Sequence, residues 1–183
     1  LDDHTREVDK INIPIYMRRT PVTISDENGE LLFYTNGNVM VNKYHQIMEN
    51  GKGFNEGSWR SDFGTDLERN SPYFNYCYMI IPDEDEEGIF YMIHSLINYF
   101  EKYFNRSDKI QISKIDVNAN SGRGRVIYKN RTLINEISSY PFEMIRHGNG
   151  KDWWLIYNNL LSDTFNTVLL DKDQIVTQNK IEV

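Results

Sequence analysis

Apolar and polar residues alternate in short runs along this chain, and turn residues separate the runs. Residues 12–18 read as a short extended segment. The runs 21–25 and 31–36 flank Asp26-Glu27-Asn28-Gly29, and the run 39–42 follows Asn36-Gly37-Asn38. An Asx-Gly pair between alternating runs signals a hairpin, because both residues accept the positive φ that a tight turn needs. The runs 75–82 and 89–94 flank Asp83-Glu84-Asp85-Glu86-Glu87 and Gly88, which predicts a hairpin with a solvated, charged tip. Residues 110–117 and 125–129 flank an Asn/Gly-rich turn at 118–124. Two more hairpins are predicted from 142–146 with 153–157 and from 164–170 with 175–181. Two stretches break the alternation. Leu96, Ile97, Phe100, Tyr103 and Phe104 fall at helical spacing, which predicts one short helix over 96–104. Residues 44–73 show no period and carry Gly51, Gly53, Gly57 and Gly64, which predicts a long loop. Loops of that length carry contact residues more often than core residues, so Trp59, Arg60 and Tyr73 are the candidates for touching a partner.

The predicted strands fall into quartets at about 12–43, 75–129 and 142–181. Successive units of four antiparallel strands are the signature of propeller blades. The expected fold is therefore all-β: a single partial β-propeller domain over residues 1–183, with about three four-stranded blades. A β-sandwich is the structural rival, since it also strings short strands on regular turns. An open propeller leaves sheet faces uncovered. Ile and Tyr positions in 12–18 and 175–181 are candidates for those faces, to be covered by further blades or by another chain.

Composition agrees with strands. The chain has 183 residues with 20 Ile, 20 Asn and 12 Tyr against one alanine, Ala119. Ile and Tyr suit a pleated surface, Asn suits turns, and the best helix former is nearly absent. A formal charge of −7 argues against a nucleic-acid partner, because phosphate binding needs a basic face. No apolar run is long enough for a membrane-spanning helix. Cys77 is alone, which rules out an internal disulfide and any Cys-x-x-Cys metal site.

Tests for specific chemistry fail. Measured from Asp26 or from Asp116, the acids, amides and glycines do not fall at the positions of an EF-type calcium loop. His4, His45, His94 and His147 show no metal-ligand spacing, and His94 and His147 are read as scaffold residues at strand–turn junctions. There is no Gly-x-Ser-x-Gly elbow, and Gly122-Arg123-Gly124-Arg125 is too short for a phosphate loop. The remaining catalytic option is a carboxylate pair of the glycosidase kind, with Asp26, Asp116 and Asp152 as candidates. An Asx turn also explains each of them. The sequence assigns no catalytic residue, cofactor or metal.

Several segments together resemble a known family. They are the stretch from Ile24 to Gly37, then Asn42, His45, Met48, Asn50-Gly51 and Gly53, then Ile80-Ile81-Pro82 with Phe90-Tyr91 and His94. Ile115-Asp116-Val117-Asn118 with Asn120, Gly122 and Gly124 follows, and then the most specific piece, His147-Gly148-Asn149-Gly150-Lys151-Asp152-Trp153-Trp154. In order over roughly 20–175, these are similar to the opening blades of large secreted, WD-repeat-like β-propeller proteins of the Bacteroidetes. Those proteins often end in a type nine secretion sorting domain or a gliding-motility-associated domain. The resemblance implies a secreted or cell-surface bacterial protein. It also implies a non-catalytic scaffold or adhesion module for a protein or glycan partner, with a carbohydrate-active propeller enzyme as the alternative. The acidic tip at 83–87 and the aromatic segment at 99–104 depart from the family's pattern.

Overall fold

A computed structural model describes residues 11–17, 21–56, 78–100, 104–136, 138 and 142–182. The described chain is all-β, with twelve strands. The first four are β1 (Val22–Ser25), β2 (Leu31–Thr35), β3 (Val39–Asn42) and β4 (Ile47–Lys52). The second four are β5 (Tyr78–Pro82), β6 (Ile89–Phe100), β7 (Phe104–Asp116) and β8 (Arg125–Ile134). The third four are β9 (Glu143–Arg146), β10 (Trp153–Asn158), β11 (Thr164–Asp171) and β12 (Gln174–Glu182). Within each quartet the strands pair antiparallel in sequence order, and no described strand is exchanged between quartets. We call the quartets units 1, 2 and 3.

Units 1 and 2 share one eight-stranded sheet, in the order β1-β2-β3-β4-β8-β7-β6-β5. The seam between them is narrow, a parallel β4–β8 pairing at Glu49↔Arg125. There the sheet curls into a half-barrel, so that unit 1 also lies against a face of unit 2. Unit 3 is a separate four-stranded sheet, in the order β12-β11-β10-β9.

Period-2 alternation explains how unit 2 is buried on both sides. Ile81, Ile89, Tyr91, Ile93 and Ile112 face Met144, Leu155, Tyr157 and Val168 of unit 3. The intervening Tyr78, Met92, Ile115 and Val126 face Phe33, Met40 and Met48 of unit 1. Phe33 meets Phe90 edge-on, with ring centroids 5.2 Å apart. The other face of unit 1, with Tyr34, Val39 and Val41, is covered by Ile15 and Met17.

Four sequence expectations are corrected. Leu96, Ile97 and Phe100 lie in β6, not in a helix, and β6 pairs along its whole length with β7. Tertiary pairing overrides the local helical spacing there; residues 101–103 lie outside the described part. The segment 12–18 is not a strand of unit 1. Its described residues, 12–17, form no β-strand, and Ile15 serves as a buried plug. Residues 44–73 are not one loop, because Ile47–Lys52 is β4, the fourth strand of unit 1. Finally, β7 begins at Phe104 and β8 continues to Ile134, both beyond the predicted runs.

The turns form as the sequence predicts. Asp26 Oδ1 accepts from the backbone N–H of Asn28 and Glu30, both at 2.9 Å. Asn36 Oδ1 accepts from the N–H of Asn38 and Val39. Asn149 Oδ1 does the same for Lys151 and Asp152. Gly37 has φ +89°, and a Cβ there would lie 2.2 Å from the Tyr78 hydroxyl. Only glycine lets this turn of unit 1 press against the first strand of unit 2.

Candidate functional site

The residues proposed from sequence for partner contact, Trp59, Arg60 and Tyr73, lie outside the described residues, as does Cys77. The described chemistry gathers instead where the β1–β2, β5–β6, β7–β8, β9–β10 and β11–β12 turns meet.

In the acidic β5–β6 turn, Glu84, Asp85, Glu86 and Glu87 are exposed as the composition suggests, and Asp83 is the exception. Asp83 is only 6% exposed. Its Oδ2 accepts from the Tyr91 hydroxyl at 3.0 Å, and its Oδ1 lies 3.6 Å from Lys172 Nζ. Glu84 pairs with Arg146, and Asp85 with both Lys151 and Lys172. Glu86 pairs with Lys114 within unit 2. The turn therefore clamps unit 2 to the β9–β10 and β11–β12 turns of unit 3. The Lys151 hydrogen bond, followed by that of Lys172, holds the Asp85 carboxyl below its ordinary range. In return, Asp85 raises both lysines. Burial, and then the hydrogen bond to Asp83, push the Tyr91 phenol well above its usual value.

A second polar contact lies across the same interface. Tyr128 donates to Asp173 Oδ2 at 2.6 Å, and Arg131 reaches the same oxygen at 2.8 Å. Burial opposes the charge on Asp173, but Tyr128, Gln174 and Arg131 outweigh it and lower its pKa. On the unit 1 side, Lys129 Nζ donates to Asn50 and to Lys52 O, and Asn130 Nδ2 donates to Gly53 O. Tyr128 and Arg131 thus bind unit 3 while Lys129 and Asn130 between them bind unit 1, a departure from strict alternation at an irregularity in the β7–β8 pairing where Asn130 has φ +57°.

His94 does not sit at a strand–turn junction. It lies inside β6, fully buried, with Nε2 3.1 Å from Ser113 Oγ and its ring edge-on to Phe54. Burial drives its pKa down to about 3, so the imidazole is neutral. His147 is at the end of β9, and its Nδ1 accepts from the Asn149 N–H.

The candidate carboxylates are engaged in turns. Asp116 Oδ1 accepts from the N–H of Asn118 and Ala119, and Asp152 Oδ2 accepts from Asn149 Nδ2. Among the described residues, no three His, Cys, Asp or Glu side chains gather as a metal site.

What remains is a cleft of about 810 Å³ between units 1 and 2, at the turn end. Its floor is half-buried and apolar, made by Ile24, Leu32, Ile80, Phe90 and Val117. Its rim carries Asp26, Glu27 and Glu87, with Asp83 behind them, and among the described residues no Lys, Arg or His lines it. Alternation in β5 and β6 marks the floor residues as sheet-facing, but it does not show that they meet a gap. The cleft joins segments near 24–32, 80–90 and 117–118, which only the fold brings together.

In comparisons with known proteins, no family model, no curated protein and no solved structure matches the chain. No match therefore supplies a function for the chain. An apolar floor with a one-signed rim can bind and orient a ligand.

Proposed function

We propose that this chain is a β-propeller segment of three blades that acts as a non-catalytic recognition scaffold, displayed on a bacterial surface or secreted. The observation that carries the reading is the burial of unit 2 on both faces by its sequence neighbours. Four-stranded antiparallel units stacked in chain order are how blades pack, and units 1 and 2, although joined in one sheet, meet in it only at the narrow β4–β8 pairing. The family resemblance of the turn segments supports the surface location and the protein or glycan partner. Against a glycosidase role stand the turn bonds of Asp26, Asp116 and Asp152, since that chemistry needs two carboxyls free to act across a sugar.

The test is made in the source cell, with an epitope tag inserted after Asn28 in the exposed β1–β2 turn of the intact gene. External protease should remove the tag from unbroken cells, and the purified protein should not cleave aryl glycosides. Protection of the tag would overturn the surface assignment. Turnover lost in Asp152→Asn or Asp116→Asn would overturn the non-catalytic one.

A further inference from the structure

The cleft between units 1 and 2 has a property that the clamp on the other side of unit 2 lacks. The acids at the unit 2–unit 3 interface are matched by Lys151, Lys172 and Arg146. At the cleft, Glu27 and Glu87 enter no ion pair among the described residues, and both are exposed. The acids therefore face the opening unneutralised, above an apolar floor. Water solvates such a rim but leaves the floor unsatisfied. A guest that covers Ile24, Leu32, Ile80 and Phe90 while presenting cations to Glu27 and Glu87 satisfies both.

We infer that this cleft docks an extended peptide segment of a protein partner in which lysine or arginine alternates with apolar side chains. In an extended peptide, successive side chains point to opposite sides. Long basic side chains can lay their methylenes on the floor and return the charge to the rim. An anionic glycan is disfavoured by the rim charge, and a neutral glycan makes no use of it. The inference rests on the recognition reading above and names the partner class for it.

The probe is a fluorescein-labelled hexapeptide of alternating leucine and lysine, titrated with the full chain and followed by anisotropy at about 0.1 M salt, where distant charges are screened. Saturable binding is expected. Glu27→Gln/Glu87→Gln should weaken it about threefold to tenfold, in line with two part-exposed charge pairs. Glu143→Gln/Glu182→Gln lowers the net negative charge equally but lies in unit 3, and should leave affinity unchanged. Asn28→Lys, in the exposed turn, should weaken binding further. A serine–lysine hexapeptide should bind at least about threefold more weakly, because the floor loses its apolar partner.

Equal loss in both glutamine pairs would show a general response to net charge and overturn the proposal. Equal affinity for the serine–lysine peptide, or for a leucine–glutamate peptide, would also overturn it. So would no binding by a chain whose thermal transition is normal. Surface exposure of the tag and the absence of glycoside turnover do not depend on these titrations, so the broader reading can survive this failure.

Discussion

His94 ties stability to pH through one buried ring. In the folded chain it titrates at about 3, and in the unfolded chain near the ordinary 6.5. Between those values the unfolded state binds one more proton, so stability falls as pH falls below 6.5. The slope is about 1.4 kcal/mol per pH unit. Urea midpoints measured from pH 7 to pH 5 should decline along that slope, and His94→Leu should flatten it above the range where carboxylates titrate. Gly37 gives a second prediction. Gly37→Ala forces a side chain into positive φ and into the Tyr78 ring. It should lower stability by more than about 1 kcal/mol, whereas Gly29→Ala, which meets nothing within 4 Å, should suffer the φ strain alone. Asp83 and Asp85 are neighbours in one acidic run, but they should respond differently to substitution. Asp83→Ala strands the buried Tyr91 hydroxyl at a cost of about 1–3 kcal/mol. Asp85→Asn removes only exposed pairs and should barely move the thermal midpoint.

The strands show what a sequence can and cannot disclose. Hairpins closed by Asp26–Gly29, Asn36–Asn38 and His147–Asp152 were legible, because the Asx side chain satisfies the turn's own backbone and needs no distant partner. β4 was not legible. Its sequence, Ile47-Met48-Glu49-Asn50-Gly51-Lys52, carries an Asn-Gly pair and no clean alternation, and it is held by β3 and the side chains of β8. The end of β6 misleads for the converse reason. Its apolar residues fall at helical spacing, yet it pairs with β7 from Ile89↔Asp116 to Phe100↔Phe104. The cleft was illegible because its acids are ordinary turn residues until the fold sets them beside a gap. Burial on both faces also predicts where a strand is most sensitive. Ile112 in β7 is fully buried against unit 3, and Ile112→Ala should cost about 2–5 kcal/mol. Ile127, on β8, is 41% exposed, and Ile127→Ala should change stability by less than about 0.5 kcal/mol. Paired urea denaturation curves would measure both.

The whole molecule is a stack with unlike ends. On the unit 1 side, Ile15 and Met17 cover the sheet, while Ile11, Ile13 and Tyr16 face outward. On the unit 3 side, Ile145, Phe165, Ile175, Val176 and Ile181 are 41–58% exposed. These include the 12–18 and 175–181 positions that the sequence marked for uncovered faces, with Ile15 the exception. An apolar surface of this kind favours association. The purified chain should self-associate as concentration rises, and Ile145→Lys/Ile181→Lys should restore a monomer in analytical ultracentrifugation without lowering the melting temperature. A wild-type chain that stays monomeric would remove the motive for further blades.

The two-sided burial of unit 2 also sets how the chain comes apart. In a stack held by contacts between neighbours, the inner member cannot open unless an outer one does. Amide exchange should therefore run from the outside inward, fastest in β12 and slowest where β6 meets β7. Loss of unit 3 would not subtract a third of the stability. It would lay bare the apolar face of unit 2 that carries Tyr91, Ile93 and Ile112. The remnant would then be a sticky, partly melted intermediate, not a smaller native protein.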